Sequence, residues 1–343
     1  MSFSRILTSV RISCLLPALV ILAVQLFPGS SECKGRAARD ALKRFEFHQV
    51  QMGTEFRLIF YAESVELAQE ARKAAFSRLE ELEQVLSDYR ADSELTRVLP
   101  RAAQGPVVIS ADLFSVLAAA EDLALKTGGA LDITVKPFVE LWKIARLEGR
   151  LPSPQSMAEA RQRVGYQKVL LNRRLQSVQF RVPGVKLDLG AIAKGYSADE
   201  MLKVLESLGI RRVLIDAGGD LRLGIAPPEQ LGWKVRIRGE DRDYFLAECA
   251  AATSSADLQY TEIEGVRYSH IVDPATGIGL QRECNVTVLA PSGMLADGLA
   301  TALSVLPAER GLRLVETFQG VSARIVNQVA GKKEILRSPN FPP

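Results

Sequence analysis

The chain has 343 residues, of which 47% are hydrophobic and 24% are charged, a globular composition long enough for one large domain or two smaller ones. Its net charge of +3 results from 43 basic and 40 acidic residues dispersed along the sequence, so no basic face is expected and nucleic acid is not a predicted partner. Only two histidines occur, His48 and His270, which excludes metal sites built on several imidazoles.

Residues 1–31 have the layout of a secretory signal. Arg5 and Arg11 precede an apolar stretch at 12–27, and small polar residues follow it. That stretch is short for a membrane span, and Pro17 and Gln25 weaken a transmembrane helix further. We therefore predict an exported protein that is periplasmic or attached to the periplasmic face of the inner membrane.

The cysteines form no metal or redox motif. Cys33 follows the signal segment, which leaves lipidation open, although the residues at 30–32 differ from those that usually precede a lipidated cysteine. Cys249 and Cys284 allow two interpretations: a disulfide in an oxidising compartment, or two buried free thiols.

The mature chain is predicted as a polar linker at 32–44, a single domain at 45–335 and a tail at 336–343. In chain order, the predicted elements are a β-hairpin at 45–61, helices at 65–86, 110–127 and 157–164, a strand pair within 168–185, a strand at 185–189, a helix at 196–208, strands of one sheet at 213–223 and 233–237, strands at 245–253 and 285–290, helices at 292–306 and 308–318, and a strand at 322–327. Strands and helices intermix without regular β-α-β alternation, which favours an α+β fold with mixed sheets and packed helices over a Rossmann sheet.

The most informative segment is residues 187–199, which read as a strand, a turn of small residues and a helix. A second glycine-rich turn, Gly218-Gly219, follows on the next strand. Unpaired N–H groups at a helix start favour a bound phosphate, and we predict that a ligand phosphate or a metal lies there. The glycine order matches neither the dinucleotide fingerprint nor the P-loop, so glycines used only for tight turns remain the alternative.

Two further segments carry groups that can do chemistry. His270 lies where a strand runs into a Pro/Gly turn, a common place for a site, and it is either a packed histidine or a general base. Asp297 and Thr301 are four residues apart on a predicted helix and so face the same way. A carboxylate and a hydroxyl oxygen suit magnesium rather than zinc. His48 lies in an alternating strand, which indicates a structural role.

These segments together resemble the FAD:protein FMN transferase family, the ApbE-like flavin transferases. The resemblance spans nearly the whole presumed mature chain and is carried by Met52-Gly53-Thr54, Ser87-Asp88-Tyr89, Asp92-Ser93-Glu94-Leu95, Thr127-Gly128-Gly129-Ala130-Leu131-Asp132-Ile133-Thr134, Asp188-Leu189-Gly190-Ala191-Ile192-Ala193-Lys194-Gly195-Tyr196, Gly218-Gly219-Asp220, His270-Ile271-Val272-Asp273-Pro274 and Asp297 with Ala300-Thr301. Lys136 departs from the pattern, since glycine is common before Pro137.

The resemblance implies a reaction and roles for the residues. In this family the hydroxyl of a Thr or Ser in an acceptor protein attacks the FMN-side phosphorus of FAD, with Mg2+ on the pyrophosphate, and AMP leaves. His270 is the implied base, with Asp273 fixing the turn or orienting it. The implied metal ligands are Asp297, Thr301 and backbone oxygens of Ala191 and Ala300. The implied flavin-nucleotide pocket is lined by Met52, Tyr89, Ala130, Leu131, Asp132, Asp188, Lys194 and Ile271.

The implied partners are FAD, which is the substrate, and acceptor flavoproteins such as subunits of membrane redox complexes. Two other functions stay open from the residues. Water in place of a protein hydroxyl would make the enzyme an FAD pyrophosphatase that yields FMN and AMP. A site without chemistry would make it a periplasmic flavin-binding protein.

Overall fold

The structure is a computed structural model that describes residues 42–257, 259–329 and 332–343. The predicted signal segment, most of the predicted linker and Cys33 lie outside the described residues. Among the described residues, no helix is both long enough and apolar enough to span a bilayer.

The described residues form eight α-helices and fifteen strands. The helices are α1 (Val65–Leu86), α2 (Glu94–Ala102), α3 (Ala111–Thr127), α4 (Lys136–Glu148), α5 (Pro154–Arg161), α6 (Ala193–Ser207), α7 (Gly293–Val305) and α8 (Ala308–Val315). The strands are β1 (Lys43–Gln51), β2 (Thr54–Ala62), β3 (Val107–Val108), β4 (Val169–Asn172), β5 (Ser177–Phe180), β6 (Val213–Ala217), β7 (Asp220–Leu223), β8 (Trp233–Arg236), β9 (Asp243–Leu246), β10 (Ala250–Ser255), β11 (Tyr260–Ile263), β12 (Val266–Ser269), β13 (Cys284–Ala290), β14 (Ser322–Val329) and β15 (Lys332–Arg337).

An eight-stranded sheet forms the centre of the molecule, in the order β1-β2-β6-β7-β10-β13-β14-β15. The pairings along it are antiparallel, so the α+β class is confirmed and a Rossmann sheet is excluded. Smaller sheets join β3-β5-β4, β8-β9 and β11-β12. The predicted strand at 233–237 is present as β8. Its predicted assignment to the sheet of β6 and β7 is wrong, because β8 pairs with β9.

Two apolar clusters cover one side of the sheet. In the first, α1 and α6 pack on β2 and β6 through residues such as Leu58, Leu79 and Met201. In the second, α7 packs on β10 and β13 through residues such as Leu299, and α3, which contributes Leu117, contacts α7. Because α6 and α7 belong to neighbouring parts of this layer, their first turns are brought together above the middle of the sheet.

Capping residues explain where the long helices begin and end. The Ser64 hydroxyl accepts from the N–H of Leu67 at the start of α1, and the Ser110 hydroxyl accepts from Leu113 at the start of α3. At the end of α3, Gly128 has a φ of 67°, the left-handed conformation that glycine adopts without strain. Both helices lie within one residue of their predicted bounds, 65–86 and 110–127.

Some predicted elements differ from the structure. Residues 185–189 form no strand. The N–H of Asp188 bonds at 2.7 Å to the carbonyl of Ile133, and Ile133 belongs to a 3-10 turn rather than to a sheet. The short helix starts at Pro154 rather than residue 157, because Ser153 caps it and proline fits its first turn. The sequence reasoning did not find α2, α4 or the β11-β12 hairpin.

Cys249 and Cys284 are both free thiols. They lie at opposite ends of the β10-β13 pair, in which Ala250 is opposite Ala290 and Ser255 is opposite Asn285. Six residues of extended chain separate the two positions by roughly 20 Å, far beyond the reach of a disulfide. The free-thiol interpretation is therefore the one that the fold supports.

The backbones of α6 and α7 touch at a pair of glycines. A Cβ on Gly195 would lie 2.1 Å from the carbonyl oxygen of Gly293. We expect Gly195→Ala to lower the free energy of unfolding by at least about 1–3 kcal/mol, because neither helix backbone has room to move away. Urea unfolding measures this loss. Gly105→Ala is the control, since a Cβ there meets no atom within 4 Å, and equal stability of the two variants would contradict the expectation.

Candidate active site

A cavity of about 480 Å³ opens beside the first turns of α6 and α7. The start of β7, the end of β10, α4 and the segment after β12 complete its walls. Most of the sequence-predicted site residues line this one cavity: Tyr89, Ala130, Leu131, Asp132, Asp188, Ala191, Lys194, His270, Ile271, Asp297, Ala300 and Thr301. The fold thus brings together residues that are up to 212 positions apart, from Tyr89 to Thr301.

Two predicted site residues, Met52 and Asp273, are not in the cavity wall. Met52 lies in the β1-β2 turn, where its N–H donates to the Glu83 carboxylate at 2.8 Å. The Asp273 carboxylate accepts from the N–H of Ala275 at 2.9 Å and from the Thr276 hydroxyl at 3.1 Å. Of the two roles considered for Asp273, the structure therefore supports fixing the turn.

Lys194 lies between two carboxylates at the cavity floor. Its Nζ is 3.0 Å from Asp220 Oδ2 and 3.3 Å from Asp297 Oδ2, and it also donates to the carbonyl of Gly190 at 3.1 Å. Asp220 was not predicted as a site residue, although its position directly after Gly218-Gly219 was a signal that could have found it. The two carboxylates outnumber the one ammonium group, so the cluster has an excess of negative charge. This excess favours the binding of a second cation.

Burial and the neighbouring charges together determine the pKa values of Lys194 and Asp297. Burial alone would lower the pKa of Lys194, but the carboxylates of Asp297 and Asp220 outweigh it and raise that pKa above its usual value. Burial raises the pKa of Asp297 to about 6, with repulsion from Asp220 adding to the effect and Lys194 opposing it. Both groups are therefore charged above neutral pH, and Asp297 then gains from any cation that reaches it.

The oxygen donors at this end of the cavity fit magnesium. Asp297 is 5% exposed, and Thr301 lines the cavity one helical turn further along α7. Gly195 lies in the first turn of α6, where its N–H has no partner within the helix, and it donates to Asp297 Oδ2 at 3.2 Å. Ala191 lines the cavity just before α6, so its carbonyl oxygen is available to a metal. Carboxylate, hydroxyl and carbonyl oxygens are the hard ligands that Mg2+ prefers.

The role of Ala300 as a metal ligand stays a prediction. It lies within α7, where its carbonyl oxygen accepts the helical hydrogen bond and also the Ser304 hydroxyl at 2.9 Å. Ala300 lines the cavity next to Thr301. Among the described residues, no group of three or more His, Cys, Asp or Glu side chains is arranged to hold a metal, so a cation here depends on mixed oxygen donors.

His270 follows β12 and lines the cavity. Its Nδ1 lies 3.1 Å from the carbonyl oxygen of Gln259, which also accepts the His270 N–H at 2.8 Å. Because a carbonyl only accepts, the neutral ring carries its proton on Nδ1 and leaves Nε2 unprotonated. The surrounding protein atoms, with Arg146 and Lys194 adding to the effect, lower the pKa of His270 below its usual value.

Gln259 is thus the partner that orients His270, and sequence reasoning missed it. The contact runs across the β11-β12 hairpin, which pairs Tyr260 with Ser269. Predicting this hairpin would have placed Gln259 opposite His270.

Asp132 and Asp188 strengthen the cavity wall through backbone contacts. The Asp132 carboxylate accepts from the N–H and hydroxyl of Thr134 at 2.8 and 2.6 Å, and from the N–H of Tyr166 at 2.8 Å. Asp188 Oδ1 accepts from the N–H of Gly190 at 2.9 Å. Each carboxylate therefore fixes a turn that faces the cavity.

Tyr89 forms the rim and is 78% exposed. The Nζ atoms of Lys136 and Lys143 lie 4.6 and 4.8 Å from its ring centroid. Lys136 is held by an ion pair with Asp88, which gives the unexpected lysine before Pro137 a structural role. Lys143 and Arg146 of α4 add positive charge to the wall, and they were missed because α4 was not predicted.

The chain is similar to known flavin transferases over most of its length. The ApbE family model matches residues 52–325. The FAD:protein FMN transferase of Treponema pallidum (strain Nichols) is 32% identical over 320 residues, which cover 87% of this chain and 88% of that protein. The enzyme of the same name from Vibrio cholerae is 35% identical over 271 residues, 76% of this chain and 80% of that protein.

The fold gives the same result. The solved structure of the flavin transferase ApbE from Vibrio cholerae superimposes with a TM-score of 0.76 at 30% identity, covering 88% of this chain and 98% of that chain. That of the flavinyl transferase ApbE from Pseudomonas stutzeri gives a TM-score of 0.77 at 27% identity, covering 87% and 95%. The chain therefore belongs to the ApbE family and is a transferase.

Proposed function

We propose that this protein transfers FMN from FAD to a Thr or Ser hydroxyl of an acceptor protein and releases AMP. The acceptor oxygen forms a bond to the FMN-side phosphorus, the bond from that phosphorus to the bridging oxygen breaks, and the hydroxyl proton passes to the enzyme. One observation carries the proposal. A single cavity contains the unprotonated ring nitrogen of His270, the ammonium group of Lys194 and a set of oxygen atoms that can bind a metal. Such a transfer needs alignment and charge neutralisation more than covalent catalysis.

His270 is suited to take the proton from the acceptor hydroxyl. Its Nε2 is unprotonated in the neutral ring, and the Gln259 carbonyl stabilises the imidazolium that forms after proton transfer. A lowered pKa keeps the ring neutral at pH 7. His270 is therefore in the state that a general base requires.

Lys194 is suited to neutralise phosphate charge. Its ammonium is held at the cavity floor by Asp220 and Asp297, so it is preorganised before FAD arrives. Asp297, Thr301 and the Ala191 carbonyl would hold Mg2+ next to it. When bound, Mg2+ supplies further neutralisation of the pyrophosphate oxygens.

The proposed acceptors are flavoproteins, including subunits of membrane redox complexes. Their hydroxyl must reach an exposed cavity, and the rim at Tyr89 is accessible to a protein partner. We also propose that the protein acts in the periplasm or at the periplasmic face of the inner membrane, on the basis of residues 1–31, which read as a signal segment.

The proposal is tested by incubating the purified protein with FAD and Mg2+, with and without a candidate acceptor domain. Released AMP is quantified, and the acceptor is weighed by mass spectrometry. AMP together with an FMN-sized mass gain on the acceptor would support the transferase. AMP with free FMN regardless of acceptor would identify an FAD pyrophosphatase, and intact bound FAD would identify a binding protein.

We expect the acid limb of kcat/KM to have an apparent pKa below 6.5. The ordinary histidine pKa is 6.5, and partial desolvation by the surrounding protein atoms lowers the pKa of His270, so protonation and loss of the base begin only at lower pH. The profile is measured at saturating Mg2+, which keeps Asp297 ionised. An acid limb centred above 7 would contradict the assignment of this limb to His270.

A further inference from the structure

The first turns of α6 and α7 are joined by two carboxylates that point in opposite directions. Asp297, on α7, accepts a hydrogen bond from the N–H of Gly195 on α6 at 3.2 Å. Asp199, on α6, accepts from the N–H groups of Gly293 and Met294 on α7 at 2.8 and 2.9 Å. Each helix therefore supplies the carboxylate that satisfies free amide groups at the start of the other.

The two helices carry the same sequence pattern at this point. Residues 195–199 read Gly-Tyr-Ser-Ala-Asp, and residues 293–297 read Gly-Met-Leu-Ala-Asp. In each pattern the glycine is where the helix backbones touch, and the aspartate follows four residues later. Because residues four apart share a helix face, each aspartate lies beside the contact and reaches the opposite helix.

The two aspartates nevertheless have different surroundings. Asp297 lines the cavity and is 3.3 Å from Lys194, whereas Asp199 is outside the cavity wall. Asp199 is neutralised by Arg222 of β7, whose Nε lies 2.7 Å from Oδ1. Arg222 is two residues after Asp220, so β7 holds α6 by two ion pairs of opposite polarity, Asp220 with Lys194 and Arg222 with Asp199.

We propose that Asp199 is a positioning residue for the magnesium site. By holding the first turn of α7 against α6, it sets the direction in which Asp297 and Thr301 face. Without this carboxylate the N–H groups of Gly293 and Met294 lose their acceptor, and the turn that precedes Asp297 is no longer fixed. The inference rests on the proposed function, because it takes Asp297 to be a ligand of Mg2+.

The test compares Asp199→Ala with Ser110→Ala in the full chain. The Ser110 hydroxyl caps α3 by accepting from the N–H of Leu113. Ser110→Ala therefore also removes a helix cap, but from a helix that carries none of the proposed metal ligands. Isothermal titration of MgCl2 into each metal-free protein gives the dissociation constant, and the magnesium dependence of AMP release gives kcat and the half-saturating concentration. For Asp199→Ala we expect both magnesium constants to rise by about 10–100-fold, as when groups that orient a metal ligand are removed, with a smaller fall in kcat at saturating Mg2+.

Ser110→Ala is expected to melt at lower temperature with unchanged magnesium constants. The same result for Asp199→Ala would overturn the proposal, since Asp199 would then act on stability alone. Should Asp199→Ala not fold, Asp199→Asn decides: it keeps one acceptor oxygen, so a smaller loss of magnesium affinity is expected, and unchanged affinity would overturn the proposal.

The wild-type protein separates this inference from the function on which it rests. Wild-type protein without magnesium-dependent AMP release would mean that the proposed function fails. Wild-type protein that depends on magnesium, together with an Asp199 variant of equal magnesium affinity, would mean that only the positioning role fails.

Discussion

Replacement of His270 by Ala is expected to lower the rate of FMN transfer by about 10²–10⁴-fold, the usual contribution of a general base. The unprotonated Nε2 is lost, whereas Lys194 and the oxygen donors keep their contacts, because none of these contacts involves His270. Binding of FAD is therefore expected to change little. Single-turnover transfer to the acceptor measures the rate, and flavin fluorescence in EDTA measures the Kd for FAD.

His48→Gln is the matched control for this variant. His48 lies on β1 with a side chain that is 46% exposed, and its contacts are exposed ones with Glu46 and Glu55. Such contacts contribute little, so the control is expected to transfer FMN at the wild-type rate. A His270→Ala enzyme that transfers FMN as fast as His48→Gln would remove His270 from the role of base.

The parts of the fold that local chemistry specifies were predictable from the sequence. A hydroxyl cap at Ser110 and a left-handed glycine at Gly128 determine α3 from its own residues, and the structure has both. Residues 185–189 illustrate the limit. Val185, Leu187 and Leu189 alternate as in a strand and are buried, but no neighbouring strand pairs with them. Periodicity predicts burial, whereas a strand also requires a partner.

The cavity was predicted better than its internal contacts. Lys194 and His270 were singled out beside glycine or proline turns, and Asp297 by its four-residue spacing from Thr301 on a predicted helix. The contacts that give these residues their chemistry join positions distant in sequence. Asp297 and Gly195 are 102 residues apart, so no local pattern could indicate that this hydrogen bond joins the first turns of α6 and α7.

Replacement of Asp297 by Asn is expected to abolish the magnesium dependence of AMP release. Loss of a group that only orients a ligand weakens metal binding by about 10–100-fold, so loss of a carboxylate ligand is expected to exceed about 100-fold. Titration of MgCl2 and the rate of AMP release at limiting magnesium measure the effect. Asp122→Asn is the control, since that carboxylate is 56% exposed and pairs with Arg173 at the surface.

The same variant is expected to be more stable than the wild type when metal is absent. Folding raises the pKa of Asp297 from 3.8 to about 6, so its contribution to stability is greatest below the unfolded value and falls as pH rises to about 6. Above that pH the buried charge costs the folded state on the order of 1–3 kcal/mol, and Asn removes this cost. Thermal melting at pH 8 in EDTA is therefore expected to favour Asp297→Asn, and saturating Mg2+ to stabilise only the wild type. Equal stabilisation of both proteins by Mg2+ would place the metal away from Asp297.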